Sequence, residues 1–194
     1  PAETTISLFC YDNHRVDNLL DTWAVSPSPV RCLLPDSKIL PNVTRWSARE
    51  KLIPGDFVQR GNLSLHILPF LSQEDYDHLL EACDCNFVRG EDSFVRAQWA
   101  AKPLVWQIYP QQDNAHLVKL NAFLDRYCEH LTANVATNLR AFHLGWNYGG
   151  QLDWTTLWQN QNTLQTHAAA WARQMALISD LASNLVQFSK NMAH

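Results

Sequence analysis

Apolar and polar positions along the chain switch between two periods. ISLFCY at 6–11 is a short apolar run closed by Asp12-Asn13, the pattern of a buried strand leading into a helix start. VDNLLDTWAV then places Val16, Leu19, Leu20 and Trp23 at helical spacing, with Pro27 and Pro29 beyond as stops. VRCLLP at 30–35 predicts a second strand, and LSLHILPF at 63–70 a third; the proline-punctuated stretch between them, 36–60, predicts no definite element. Ser72 caps a helix over SQEDYDHLLEAC, with acids in the first turn and Tyr76, Leu79, Leu80 and Cys83 on one face. Asn86-Phe87-Val88 predicts a fourth strand, and Asp92 or Ser93 the cap of a helix carrying Phe94, Val95, Ala97 and Trp99. After Pro103, LVWQIY predicts a fifth strand that ends at Pro110. From there the period is helical throughout: 113–131, 133–146, 153–161 and one long stretch over 163–190.

Strands alternating with helices predict an α/β fold: a Rossmann-like, mainly parallel sheet with helices on both faces, followed by an all-helical C-terminal tail. At 194 residues the chain is read as a single domain over 1–194. In such sheets ligands bind in the crevice beyond the carboxyl ends of the strands. That rule selects Tyr11-Asp12-Asn13, the segment from Phe70 to Gln73, the segment from Arg89 to Ser93, and Tyr109-Pro110-Gln111.

Composition narrows the partners. With 46% hydrophobic and 18% charged residues the balance is that of a folded globular chain. A net charge of −4 and no basic stripe argue against a nucleic-acid ligand. The five cysteines are odd in number and lack a scaffold spacing, which suits a reducing, cytoplasmic compartment and small buried hydrophobes. Neither they nor the eight histidines show a metal-ligand spacing, so no metal site is expected. No apolar run reaches the roughly 18 residues a membrane span needs. The chain opens on Pro1 without a methionine, which reads as a start inside a longer protein.

The chemistry concentrates in NFVRGEDS at 86–93. No GxGxxG or GxxxxGK[ST] motif occurs. Phosphate can still be held by the first amides of a helix, beside the positive end of its dipole. Gly90 permits the turn, Ser93 offers a hydroxyl and Arg89 a charge. Glu91 and Asp92 would repel a diphosphate unless they face sugar hydroxyls or pair with a cation such as Arg89. Phe9, Phe70 and Tyr76 are able to sandwich a flat base, and Gln73 and Tyr109 to read its edge or a ribose. Each is equally an ordinary core or surface residue, and the stretch equally an ordinary capped helix.

The run NFVRGEDSFVRAQWAAKPLVWQIYPQ (86–111) closely resembles the signature of the elongation factor P arginine rhamnosyltransferases. ISLFCYDN (6–13) and LHILPFLSQEDYDHLL (65–80) are similar to that family at the same relative positions. The resemblance implies a GT-B fold of two Rossmann-like domains, of which this chain is the C-terminal, donor-binding one. It implies inverting transfer of rhamnose from TDP-β-L-rhamnose to an arginine of elongation factor P, without metal or cofactor. Carried over, Phe9, Phe70 and Tyr76 match the aromatic base pocket, and Tyr11, Gln73 and Tyr109 the contacts to base, ribose or diphosphate. Arg89, Glu91, Asp92 and Ser93 match the loop that holds ribose and diphosphate, Glu91 being the one important for activity. The general base would be an aspartate of an N-terminal domain outside this chain, leaving the chain alone inactive. The helix over 163–194 would pack back toward that domain, and Pro1 would lie near the linker. Ala101 departs from the family pattern, standing where glycine is common. A transferase with another nucleotide-sugar donor, or a non-catalytic interaction module, remain the alternatives.

Overall fold

The structure, a computed structural model, describes residues 2–111, 115–179 and 181–192. The expected helix start at Asp113 and the linker position of Pro1 lie outside the described residues, as do residues 193 and 194 of the tail. Six strands form one sheet: β1 (Thr4–Leu8), β2 (Val30–Pro35), β3 (Phe57–Arg60), β4 (Leu63–Leu68), β5 (Cys85–Arg89) and β6 (Leu104–Gln107). Their order is β3-β4-β2-β1-β5-β6, and every pairing is parallel except β3 with β4. Nine helices connect or follow the described strands: α1 (Val16–Ala24), α2 (Leu40–Trp46), α3 (Gln73–Ala82), α4 (Asp92–Trp99), α5 (Ala115–Tyr127), α6 (Ala133–Tyr148), α7 (Trp154–Trp158), α8 (Gln161–Ala176) and α9 (Leu181–Met192). The α/β class with a helical C-terminal part is therefore as the sequence predicts.

Strand side chains alternate between two cores, because successive residues point to opposite faces. On one face Ile6, Leu8, Phe87 and Val105 pack under α1, α6 and α7, where Trp23, Phe142, Trp146 and Trp154 meet Phe87. These rings pack largely edge-to-face, with Phe87 5.3 Å from Trp146 and 5.7 Å from Trp23. On the other face Val88, Leu104 and Trp106 pack against Tyr76, Leu80, Ala97, Leu120 and Leu124 of α3, α4 and α5. Most tryptophans are core residues as expected; Trp99 is exposed.

Three expectations change. The stretch 36–60 contains α2 and the antiparallel edge strand β3, neither of which the sequence reading assigned. The tail is two helices, with a break after Ala176 where Leu177 and Ile178 stand exposed. At α4 the N-cap is Glu91 in helical geometry with no side-chain cap, so neither Asp92 nor Ser93 caps it; Asp92 is already the first helical residue and spends its carboxylate on Arg96. Ser72 does cap α3, its hydroxyl accepting from the Asp75 amide at 3.1 Å. The connectivity then positions the site. From β1 the chain passes through α1 to β2, whereas α3 carries it from β4 to β5 on the opposite side of β1. The strand order thus reverses between β1 and β5, and a crevice opens at their carboxyl ends.

Candidate functional site

A cavity of about 390 Å³ lies at that reversal, floored by Phe9 beyond β1 and walled by the N-terminal ends of α3 and α4. Phe9, Phe70, Gln73, Tyr76, Asp92 and Ser93 all line it, together with Pro35, Leu71, Ser72 and Arg96. The volume is in the range of small-ligand sites. Phe70 projects with 77% of its surface exposed, a large cost-free apolar contact waiting for a flat partner. Phe9 and Tyr76 meet at 5.2 Å in a tilted pair. Tyr76 is buried, and its hydroxyl finds no hydrogen-bond partner among the described residues. Burial pushes its phenol up, with the neighbouring Ser93 hydroxyl and Arg89 charge opposing. The Ser93 hydroxyl is its polar neighbour, and a ligand's polar atom could complete the bonding of both.

Arg89, the last residue of β5, stacks its guanidinium 4.4 Å over Phe9 and 4.9 Å over Tyr11. Among the described residues it has no carboxylate partner. Tyr11 in turn packs edge-on against Tyr109 at 5.5 Å, so the two strand-end loops after β1 and β6 meet. The structure therefore joins three further candidates to the cavity group: Arg89 stacks on Phe9 and Tyr11, and Tyr109 packs on Tyr11, whereas Glu91 follows Arg89 around the turn and pairs elsewhere.

The acids at the head of α4 pair with cations other than Arg89. Asp92 bonds Arg96 Nε at 3.0 Å, and Arg96 also holds Asp77 at 2.7 Å. Glu91 faces Lys119 of α5 at 3.4 Å rather than Arg89, and is 80% exposed. With both carboxylates paired to other cations, the first-turn amides of α4 and the Arg89 charge remain to meet an anion. Gly90 makes the turn at φ +63°, and its carbonyl accepts from Trp106 Nε1 at 2.6 Å.

Sequence reasoning missed two residues. Arg96 stands four residues after Asp92, a spacing that itself predicts the pair on one helix face. Gln107 is the one polar residue in the buried strand LVWQ, and that polarity inside an apolar run was the available signal. A larger concavity, about 720 Å³, opens at the other end of the sheet beside Thr4, Asp84, Trp154 and Trp158. The starts of α7 and α8 line it, but among the described residues no Lys, Arg or His does, so the smaller cavity, with Arg89 stacked on its Phe9, is the candidate site.

The family model described as "Elongation-Factor P (EF-P) rhamnosyltransferase EarP" matches residues 1–190. The protein-arginine rhamnosyltransferase of Pseudomonas aeruginosa is 45% identical over 189 residues, covering 96% of this chain and 50% of that protein. The protein of the same name from Pseudomonas putida is 41% identical over 193 residues, covering 98% of this chain and 51% of its own length. The chain thus spans about half the length of the curated relatives it matches. A solved structure, described as the structural basis for EarP-mediated arginine glycosylation of translation elongation factor EF-P, superposes with a TM-score of 0.89 at 39% identity. That match covers 98% of this chain and 61% of the other.

Proposed function

The chain belongs to the elongation-factor P rhamnosyltransferase family EarP, and from that premise we propose that it is the donor-binding half of an enzyme that transfers rhamnose from TDP-β-L-rhamnose to an arginine of elongation factor P. The observation that carries the reading is the meeting of an unpaired Arg89, the free amides of α4 and an aromatic cavity at one strand reversal. A nucleoside diphosphate asks for those three things: a cation and amides for the phosphates, and an apolar slot for the base. In this assignment Phe9, Phe70 and Tyr76 hold the thymine, Gln73 reads its edge or the ribose, and Tyr11 and Tyr109 flank the diphosphate. Arg89 and Ser93 contact the diphosphate. Glu91 leaves Lys119 to accept from a sugar hydroxyl, and Asp92 holds Arg96 in place at the wall.

The transfer proceeds with inversion and without a metal or cofactor. An arginine side chain is protonated throughout the ordinary pH range, so a carboxylate must orient the guanidinium and take a proton as the new bond forms. We assign that base to an N-terminal domain outside this chain, making a two-domain GT-B enzyme whose α9 packs toward that domain. Exposed Leu185, Val186 and Phe188 on α9 suit that packing. The donor half contributes the electrostatic part, stabilising the departing TDP.

Calorimetric titration with TDP, UDP and GDP tests the reading. TDP is expected to bind in preference to the other two; no binding of TDP by the folded protein sinks it, and a preference for UDP reassigns the donor. In the full-length enzyme, Glu91→Ala and Arg89→Ala are expected to lower transfer by about 100-fold or more with circular dichroism unchanged. The readout is the mass shift of elongation factor P.

A further inference from the structure

Gln107 lies outside the cavity, yet its side chain holds the loop that continues from the cavity's Phe9 floor. Beyond Leu8 the β1 segment leaves the sheet: its last ladder contact is Phe9 N donating to the Phe87 carbonyl at 3.0 Å. Tyr11 and Asp12 therefore have no neighbouring strand to hold them. The Gln107 carboxamide fills that gap from β6, one strand further on, across the end of β5. Its Oε1 accepts from the Tyr11 amide at 2.7 Å, and its Nε2 donates to the Asp12 carbonyl at 3.4 Å. Its own backbone carbonyl accepts from the Gly90 amide at 3.2 Å. One buried residue thus ties the loop after β1 to the turn that heads α4.

The contacts downstream are tight. A Cβ on Gly90 would meet the Tyr11 hydroxyl at 2.9 Å, so the Tyr11 ring lies flush against the turn. The same ring carries the Arg89 guanidinium on its face. Tyr11 is thus one of the two aromatic faces, with Phe9, on which the guanidinium rests. We propose that Gln107 is a positioning residue for nucleoside-diphosphate binding, acting through Tyr11 to set the Arg89 guanidinium. This rests on the nucleotide reading of the cavity given above.

The experiment is TDP calorimetry on the full-length protein and its Gln107→Leu, Tyr11→Ala and doubly substituted variants, with melting curves alongside. Gln107→Leu is expected to weaken TDP binding about tenfold, as befits loss of a buried hydrogen-bonded pair. In the Tyr11→Ala background the same change is expected to cost less than about twofold, because its route to Arg89 is gone. A merely structural role would lower the melting temperature in both backgrounds but leave the affinity losses independent. Unchanged affinity in Gln107→Leu, or losses that multiply in the double variant, overturn the proposal. If Gln107→Leu fails to fold, Gln107→Glu keeps the acceptor for Tyr11, removes the donor to Asp12, and is read through the same cycle. A parent protein that binds no TDP defeats the nucleotide reading and this inference together; a parent that binds while Gln107→Leu binds equally defeats the inference alone.

Discussion

Gly90 and Ala101 share a left-handed backbone, at φ +63° and +56°, but only one of them has the side chain for it. At Gly90 a β-carbon would add strain and press on the Tyr11 hydroxyl, so Gly90→Ala is expected to cost about 1–2 kcal/mol by urea denaturation. It should also weaken TDP binding. At Ala101 the strain is already present, and Ala101→Gly is expected to gain about 0.5–1 kcal/mol in the same assay. The grouping of Phe70, Gln73, Asp92 and Ser93 around one cavity was legible in the sequence, because each lies in a segment beyond a strand end; Phe9 and Tyr76 read equally as core residues of a strand and a helix. The pairing of Glu91 with Lys119 was not, since 28 residues separate them and only the packing of α5 brings them near. Gln107 escaped for a related reason: its partners lie 95 and 96 positions away.

Among the elements, β2 runs over the six residues its apolar run predicted, and α1 and α3 follow their helical spacing closely. The stretch between β2 and β4 misled for opposite reasons. Pro41 reads as a breaker, yet at the first turn of α2 its missing amide costs nothing. β3 is short and mostly exposed, but Gly61-Asn62 between it and β4 is a two-residue hairpin signal, with Gly61 at φ +55°. α8 closes with tight turns in which the Leu177 and Ile178 amides donate to the Gln174 and Met175 carbonyls, and Ser179 then bonds Asn184 through its hydroxyl and carbonyl at the start of α9. Within α6, His143 is fully buried, and desolvation with the nearby Arg140 charge lowers its pKa to about 3. The unfolded chain takes up a proton near pH 6.5 that the folded ring refuses, so this group's stabilisation is complete above that pH. It is lost on acidification at about 1.4 kcal/mol per pH unit down toward pH 3. His167, also lowered, adds in the same direction. Denaturation curves at pH 7.5, 6 and 5 are expected to show the slope, and His143→Leu to flatten it.

At the scale of the molecule, the sheet and its two cores stand apart from the last helix. Every described side chain of α9 from 182 to 190 is exposed, so ending the chain after Ser179 is expected to cost less than about 1 kcal/mol. Melting curves of the 194-residue chain with and without that helix check this, and a large drop would mean that α9 packs on this domain in solution. No helix among the described residues is long and apolar enough to cross a membrane. The strand order has a further consequence in time. β1 is made first but lies between β2 and β5, and its register with β5 pairs Ile6 with Cys85, 79 residues later. During synthesis one edge of β1 therefore stays open, a hydrogen-bonding template without its mate, until the chain has grown past β5. The turn at Gly90 is made in the same few residues that close this edge. A nascent chain thus gains the turn of its candidate site and covers the open edge of β1 in a single step.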